Sequence, residues 1–187
     1  MMNVSRFPRA AVIGVAMALL AAVVFYMAWQ WRRDAAVGER EDLRRVQQFV
    51  LKDREGKEVR QADFAGTPVL IYVWASWCPQ CAEGLQDLAV MKKEFGDAIS
   101  VVAINRAESH DVAAPAGAIP GAATGTVFLL DPDDTYYRAI GGFAMPETMF
   151  VDRAGMIRFH TRGPQSREEL RRRTEDLLTF CEKENVC

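Results

Sequence analysis

The sequence predicts an α/β domain, a four- or five-stranded mixed sheet with helices on both faces. Three stretches carry that prediction. "VLIYVWAS", residues 69–76, is a continuous apolar run rich in β-branched and aromatic residues, as a strand covered on both faces must be. Leu85, Leu88, Met91 and Phe95 then recur at helical spacing up to Gly96, and "ISVVAIN" supplies a second buried strand. Strand, helix and strand over that span form a βαβ unit with a parallel pair. "SREE" opens the last element: Ser166 and Glu169 make a capping box ahead of Leu170, Thr174, Leu177, Leu178 and Cys181 on one helical face.

The connecting elements follow from local chemistry. "FVLKDREGKEV" holds two short apolar stretches around Glu55-Gly56 and reads as a β-hairpin, and "RQADFAGTP" is turn chemistry. "TVFLLD" is a third strand and "PDDTYYRAIGGF" a short helix and turn. "ETMFVDRAGMIRFHT" is a hairpin turning at Asp152–Gly155. Between them, Pro115, Gly117, Pro120, Gly121 and Gly125 argue against a long helix over 112–125, so a loop or a broken helix is expected.

A chain of 187 residues has room for one ordinary domain and an appendage. Half the residues are apolar and the net charge is −2, so composition gives no sign of disorder or of nucleic-acid binding. Four cysteines are too few for a disulfide scaffold. The appendage is N-terminal. Ala10 to Trp31 carries no charge, with Arg6 and Arg9 before it and Arg32 and Arg33 after it. A run of about 20 apolar residues spans a bilayer core as a helix, and Tyr26, Trp29 and Trp31 suit an interfacial girdle. The run ends "MAWQWRR", a poor cleavage site, which favours a retained anchor over a signal peptide. The expected organisation is an N-terminal tail and transmembrane anchor over 1–33, a charged stalk over 34–48, and the domain over 49–187. Orientation signals conflict. Arg32, Arg33, Arg40, Arg44 and Arg45 outweigh Arg6 and Arg9, yet a short positive tail before a first apolar segment is the usual export signal.

The chemistry concentrates in "WASWCPQC", residues 74–81. Cys78 falls where a buried strand ends and a helix begins, and the positive end of a helix stabilises a thiolate. Pro79 suits the first helical turn because its missing N–H would have had no partner there. Cys81, three residues on, lies on the same side of the helix and within disulfide reach. Trp77 and Pro79 are expected to shield the sulfurs, leaving Cys78 the more exposed. That arrangement suits an attacking thiol, Cys78, and a resolving thiol, Cys81. A zinc half-site is the metal alternative, but no second pair with ligand spacing exists among Cys181, Cys187, His110 and His160, so no metal is expected. Two soft thiolates also suit copper(I), which keeps a thiol chaperone in play. Cys181 is expected to be a buried inert thiol, with pairing to Cys187 requiring the helix to end between them. Arg171–Arg173 read as a solvated face, and His110 and His160 as surface or strand residues.

"VLIYVWASWCPQC" resembles the active-site strand and turn of thioredoxin-like proteins, specifically the membrane-anchored thiol–disulfide oxidoreductases of the TlpA/ResA kind. "FVLKDREGKEVRQADFAGTPV", "LLDPDD" and "GGFAMPETMFVDRAGMI" match as well, so the likeness covers about residues 47–180. The resemblance implies a thioredoxin-like fold with Cys78 as nucleophile, Cys81 resolving it, and no cofactor beyond that redox-active disulfide. It further implies a cis-proline at Pro146, with the Met145 backbone offered to the substrate. Disulfide-containing exported proteins would be the partners, apocytochromes awaiting haem among them. A membrane electron donor would recharge a monomeric enzyme whose domain lies outside the cytoplasm. The Pro79-Gln80 pair between the cysteines influences the potential and hence the direction, reductant or oxidant. A peroxidase of the peroxiredoxin type shares the fold, but its Thr-x-x-Cys setting is absent here. Two departures stand out. Thioredoxin's buried acid, six residues before the first cysteine, is replaced by Tyr72. The glutamate three residues after the second cysteine is replaced by Gly84, with Glu83 one residue early and turned about 100° around the helix. Glu147, next to Pro146, is the other carboxylate candidate near the sulfurs, though exposure is the ordinary state for such a residue.

Overall fold

Val69–Trp74 forms the central strand, β3, and all six of its residues are buried. The reason lies in two cores on opposite faces of the sheet. Leu70, Tyr72 and Trp74 share one core with Cys78, Cys81, Leu85, Leu88, Leu170 and Leu177. Val69, Ile71 and Val73 enter the other with Val46, Phe49, Tyr136, Tyr137 and Met149. Period-2 alternation sends successive side chains to opposite faces, so a strand covered twice must be apolar throughout.

The computed structural model describes residues 14, 17–28, 45–116 and 125–184. The chain divides into two units, Met1–Arg40 and Glu41–Cys187. In the first, residues 17–28 are helical (α1), with Met17, Leu20 and Phe25 exposed. Among the described residues no helix is long and apolar enough to cross a membrane. The rest of the expected anchor, the stalk from 34 to 44 and Cys187 lie outside the described residues.

The second unit contains one sheet. In chain order its elements are β1 (Val50–Asp53), β2 (Glu58–Arg60), β3, α2 (Pro79–Phe95), β4 (Ser100–Arg106), α3 (His110–Ala116), β5 (Thr126–Asp131), α4 (Thr135–Ala139), β6 (Glu147–Val151), β7 (Ile157–Arg162) and α5 (Arg167–Glu184). The sheet has seven strands in the order β2-β1-β5-β4-β3-β6-β7, not the four or five expected. The difference arises at an edge. The N-terminal hairpin joins the sheet by antiparallel pairing of Lys52 with Leu130 and Asp53 with Leu129. β3, β4 and β5 run parallel, and β6 lies antiparallel to β3. Packing begins ahead of Phe49: Val46 is buried, its N–H bonds the Gly155 carbonyl, and Arg45 bridges to Met156.

α2 begins at Pro79 in its first turn and ends at Gly96, whose φ of +53° falls in the left-handed region that glycine tolerates. α3 enters the Ala/Gly/Pro stretch as far as Ala116, and residues 117–124 lie outside the described residues. α5 starts as its capping residue predicts, with the Ser166 hydroxyl accepting the Glu169 N–H at 3.2 Å. Leu170, Thr174, Leu177 and Cys181 form its buried face. The described residues hold no free cysteine, so Cys181 is not the inert thiol expected. Arg171–Arg173 are not uniformly solvated either. Arg173 is buried, with its guanidinium over the Phe159 ring, because a cationic side chain can lay its stem and planar head on an aromatic face.

Candidate active site

The site stands where β3 runs out. After Trp74 and Ala75 the chain turns, the Cys78 N–H bonding the Ala75 carbonyl at 3.2 Å, and Cys78 becomes the N-cap of α2. Cys78 and Cys81 are joined by a disulfide across the first helical turn, with their Cα atoms 5.3 Å apart. That separation is ordinary for a disulfide. Both are buried, Cys78 at 4% exposure and Cys81 at 0%, so Cys78 is the more accessible of the two by a small margin.

Shielding does not come from Trp77. Its side chain is 60% exposed, while Trp74 packs edge-on against Phe128. A residue at the tip of a loop has no layer above it to enter. Pro79 and Gln80 are exposed as well. The cover over the sulfurs is the core itself, for Tyr72, Trp74 and Leu85 share their cluster and Met145 packs against it.

Met145–Pro146 is a cis peptide bond at the head of β6. The Pro146 carbonyl accepts the Gly163 N–H at 2.7 Å, which ties this loop to the end of β7. Glu147 is not exposed: it is fully buried. One carboxylate oxygen accepts the N–H groups of Phe143 and Ala144 at 2.9 and 3.1 Å, and the other meets His160 Nε2 at 2.7 Å. Arg162 Nε stands 3.9 Å away. Burial alone would raise the Glu147 pKa, but the bonds from His160, Phe143 and Ala144 outweigh it and hold the carboxylate below its ordinary value. The carboxylate thus fastens the loop that carries Pro146. His160 is accordingly an interior residue, its side chain only 2% exposed.

At the places where the resemblance expects an acid, the structure has Tyr72 and Gly84. The Tyr72 hydroxyl donates to the Cys81 carbonyl at 3.3 Å. Its pKa is raised by burial first, then by the facing carboxylates Asp87 and Glu83. It stays protonated at any physiological pH. Glu83 is exposed at the rim of a small cavity of about 30 Å³, which Tyr72, Gly84, Asp87 and Gln165 also line.

Sequence reasoning missed a second carboxylate beside the loop. Glu108, 9% exposed, accepts the Ser76 N–H at 2.8 Å, the Asn105 side-chain N–H at 2.6 Å and the Ser76 hydroxyl. The available signal was Asn105, a buried polar residue that follows the apolar run Val101–Ile104 in β4. Its partner three residues later was readable only once the β3 loop had been placed beside it.

The AhpC/TSA family model matches residues 44–160. The chain is similar to the thiol:disulfide interchange protein DsbE of Vibrio cholerae, 30% identical over 116 residues, 61% of each chain. It is also similar to the thiol-disulfide oxidoreductase ResA of Geobacillus thermodenitrificans, 26% identical over 69% of this chain and 74% of that one. The chain spans 52–61% of the length of three of the curated relatives it matches, the Vibrio protein among them. Among solved structures, the exposed lipoprotein thioredoxin of Streptococcus pneumoniae is 25% identical, with a TM-score of 0.59 over 70% of this chain and all of that one. The dsbF protein of Mycobacterium tuberculosis, 24% identical with a TM-score of 0.63 over 70% of this chain and 95% of that one, shares the fold.

Proposed function

This chain belongs to the AhpC/TSA family, and from that premise we propose that it is a thiol–disulfide oxidoreductase that reduces disulfides in exported proteins. The observation that carries the reading is the Cys78–Cys81 disulfide at the N-terminus of α2, sharing a core with the Met145 that precedes cis-Pro146. The Cys78 thiolate attacks a substrate disulfide, forming a mixed disulfide and expelling one substrate thiolate. Cys81 then attacks Cys78 Sγ, releases the second substrate sulfur and regenerates the intramolecular disulfide. The helix N-terminus stabilises the Cys78 thiolate in the first step. Names of similar proteins, interchange protein and thiol-disulfide oxidoreductase, support the reaction class.

The uncharged run from Ala10 to Trp31 supports a membrane anchor, and a reductant of exported proteins belongs on the far side of that membrane. Its electrons would then come from a carrier in the membrane, and apocytochromes awaiting haem, whose paired cysteines can be joined in a disulfide, are one substrate class. The test is insulin reduction. Cys78→Ser is expected to abolish turnover and Cys81→Ala to accumulate mixed disulfides; full activity in the first variant would sink the reading. An equilibrium glutathione titration gives the direction: about −270 mV marks a reductant and about −120 mV an oxidant.

A further inference from the structure

Ser76 and Trp77, the residues that lead into Cys78, are exposed, so apolar burial does not hold this loop. What holds it is polar. Besides the Cys78–Ala75 turn bond, Ser76 is fastened through both its N–H and its hydroxyl to one carboxylate, Glu108. Asn105, at the end of β4, supplies a third donor to the same group. The segment that presents Glu108 is itself constrained. Ala107 has φ of +55°, a left-handed conformation that a residue with a Cβ adopts only when its surroundings impose it, and its N–H bonds the Asp131 carbonyl at 2.9 Å. Burial would raise the Glu108 pKa, but the Asn105 and Ser76 bonds prevail and hold it below the ordinary carboxylate value. Glu108 is therefore a fixed anion at neutral pH.

Its distance from the chemistry is bounded by the chain. Ser76 and Cys78 are two residues apart, at most about 7 Å between Cα atoms. A carboxylate hydrogen-bonded to Ser76 thus lies on the order of one Debye length from Cys78. We propose that Glu108 tunes the redox pair, its buried charge disfavouring the Cys78 thiolate and so biasing the Cys78–Cys81 couple towards a reductant. The inference rests on the thiol–disulfide reading above and adds a direction to it. Glu108 acts through Cys78 and is a positioning and charge-setting residue. It opposes the helix N-terminus, which stabilises the same thiolate.

Redox balance links that charge to a measurable equilibrium. Two glutathione thiols reduce the pair, breaking its S–S bond and forming one glutathione disulfide. Of the two protons they carried, one goes to Cys81 and the other to Cys78 or, where Cys78 is left as thiolate, to solvent. Whatever favours the thiolate favours the reduced protein and makes the couple more oxidising.

The experiment uses the full chain and two readouts: the rate of alkylation at Cys78 against pH, and the glutathione equilibrium of the pair. In Glu108→Gln, Cys78 is expected to become about tenfold more acidic, the size of effect one charge has at this range. The equilibrium should move several-fold towards the dithiol, up to about tenfold or about 30 mV. Glu108→Met, neutral and of similar length, is the second variant should the glutamine protein not fold. Glu108→Asp keeps the charge but shortens the reach to Ser76, so its thiol acidity and equilibrium should stay within about twofold of wild type. Unchanged values in the neutral variants would overturn the inference, and so would an aspartate variant that shifts as far as they do, since Glu108 would then be only a prop. A wild type that does not exchange with glutathione overturns the functional reading and this inference together. A wild type that exchanges but ignores the loss of the Glu108 charge overturns the inference alone.

Discussion

The hydroxyl of Tyr72 occupies the space that a side chain at Gly84 would need: a Cβ at 84 would stand 2.1 Å from the Tyr72 oxygen and 2.7 Å from its ring carbon Cζ. The two departures from the thioredoxin-like pattern are therefore one. A tyrosine at 72 in the strand and an acid at 84 on the second helical turn exclude each other, and the tyrosine uses the vacated space to reach the Cys81 carbonyl.

This interlock predicts a coupled stability effect. Gly84→Ala should destabilise the protein by about 1–3 kcal/mol through overpacking, since Tyr72 is buried in a strand and cannot move aside. In a Tyr72→Val background the same substitution should cost less than about half as much, because the obstructing ring is gone. Urea denaturation of the four proteins measures the coupling, and additive effects would contradict the interlock.

Glu147 predicts an acid limb. Its pKa in the fold lies below the unfolded value, so its contribution to stability is complete above about pH 4.3 and is lost as pH falls through the folded value. Glu147→Gln, which keeps the shape but removes the charge facing His160, should cost about 2–4 kcal/mol at neutral pH. Melting temperature against pH should fall less steeply below about pH 4.3 in the variant than in wild type.

Trp77, exposed beside Cys78, contributes little to the fold. Trp77→Ala should change stability by less than about 0.5 kcal/mol, as surface substitutions generally do. If the indole meets substrate polypeptide, the loss will appear as a higher KM for a protein disulfide, with turnover of a small disulfide unchanged. Steady-state kinetics with both substrates separates the two.

What was legible in the sequence was local. The runs of β3 and β4, the helical spacing of Leu85, Leu88 and Met91, the turn at Asp152–Gly155 and the cap at Ser166 each depend on neighbours within a turn or two. The cysteine pair is read the same way, because three residues of helix bring its Cα atoms to 5.3 Å.

What escaped was every outcome set by partners distant in the chain. The N-terminal hairpin became part of the sheet because Lys52 found Leu130. Glu147 could be buried because the amides of Phe143 and Ala144 and the ring of His160 converge on it. Nothing adjacent to Trp77 announces that no layer covers it, and nothing adjacent to Ser76 announces Glu108. By itself, the sequence determined the α/β framework and the cysteine pair that forms the disulfide, because periodicity and capping are short-range properties of a chain. Only the tertiary structure decided which carboxylates surround that pair, since burying a charge depends on donors that folding alone brings together.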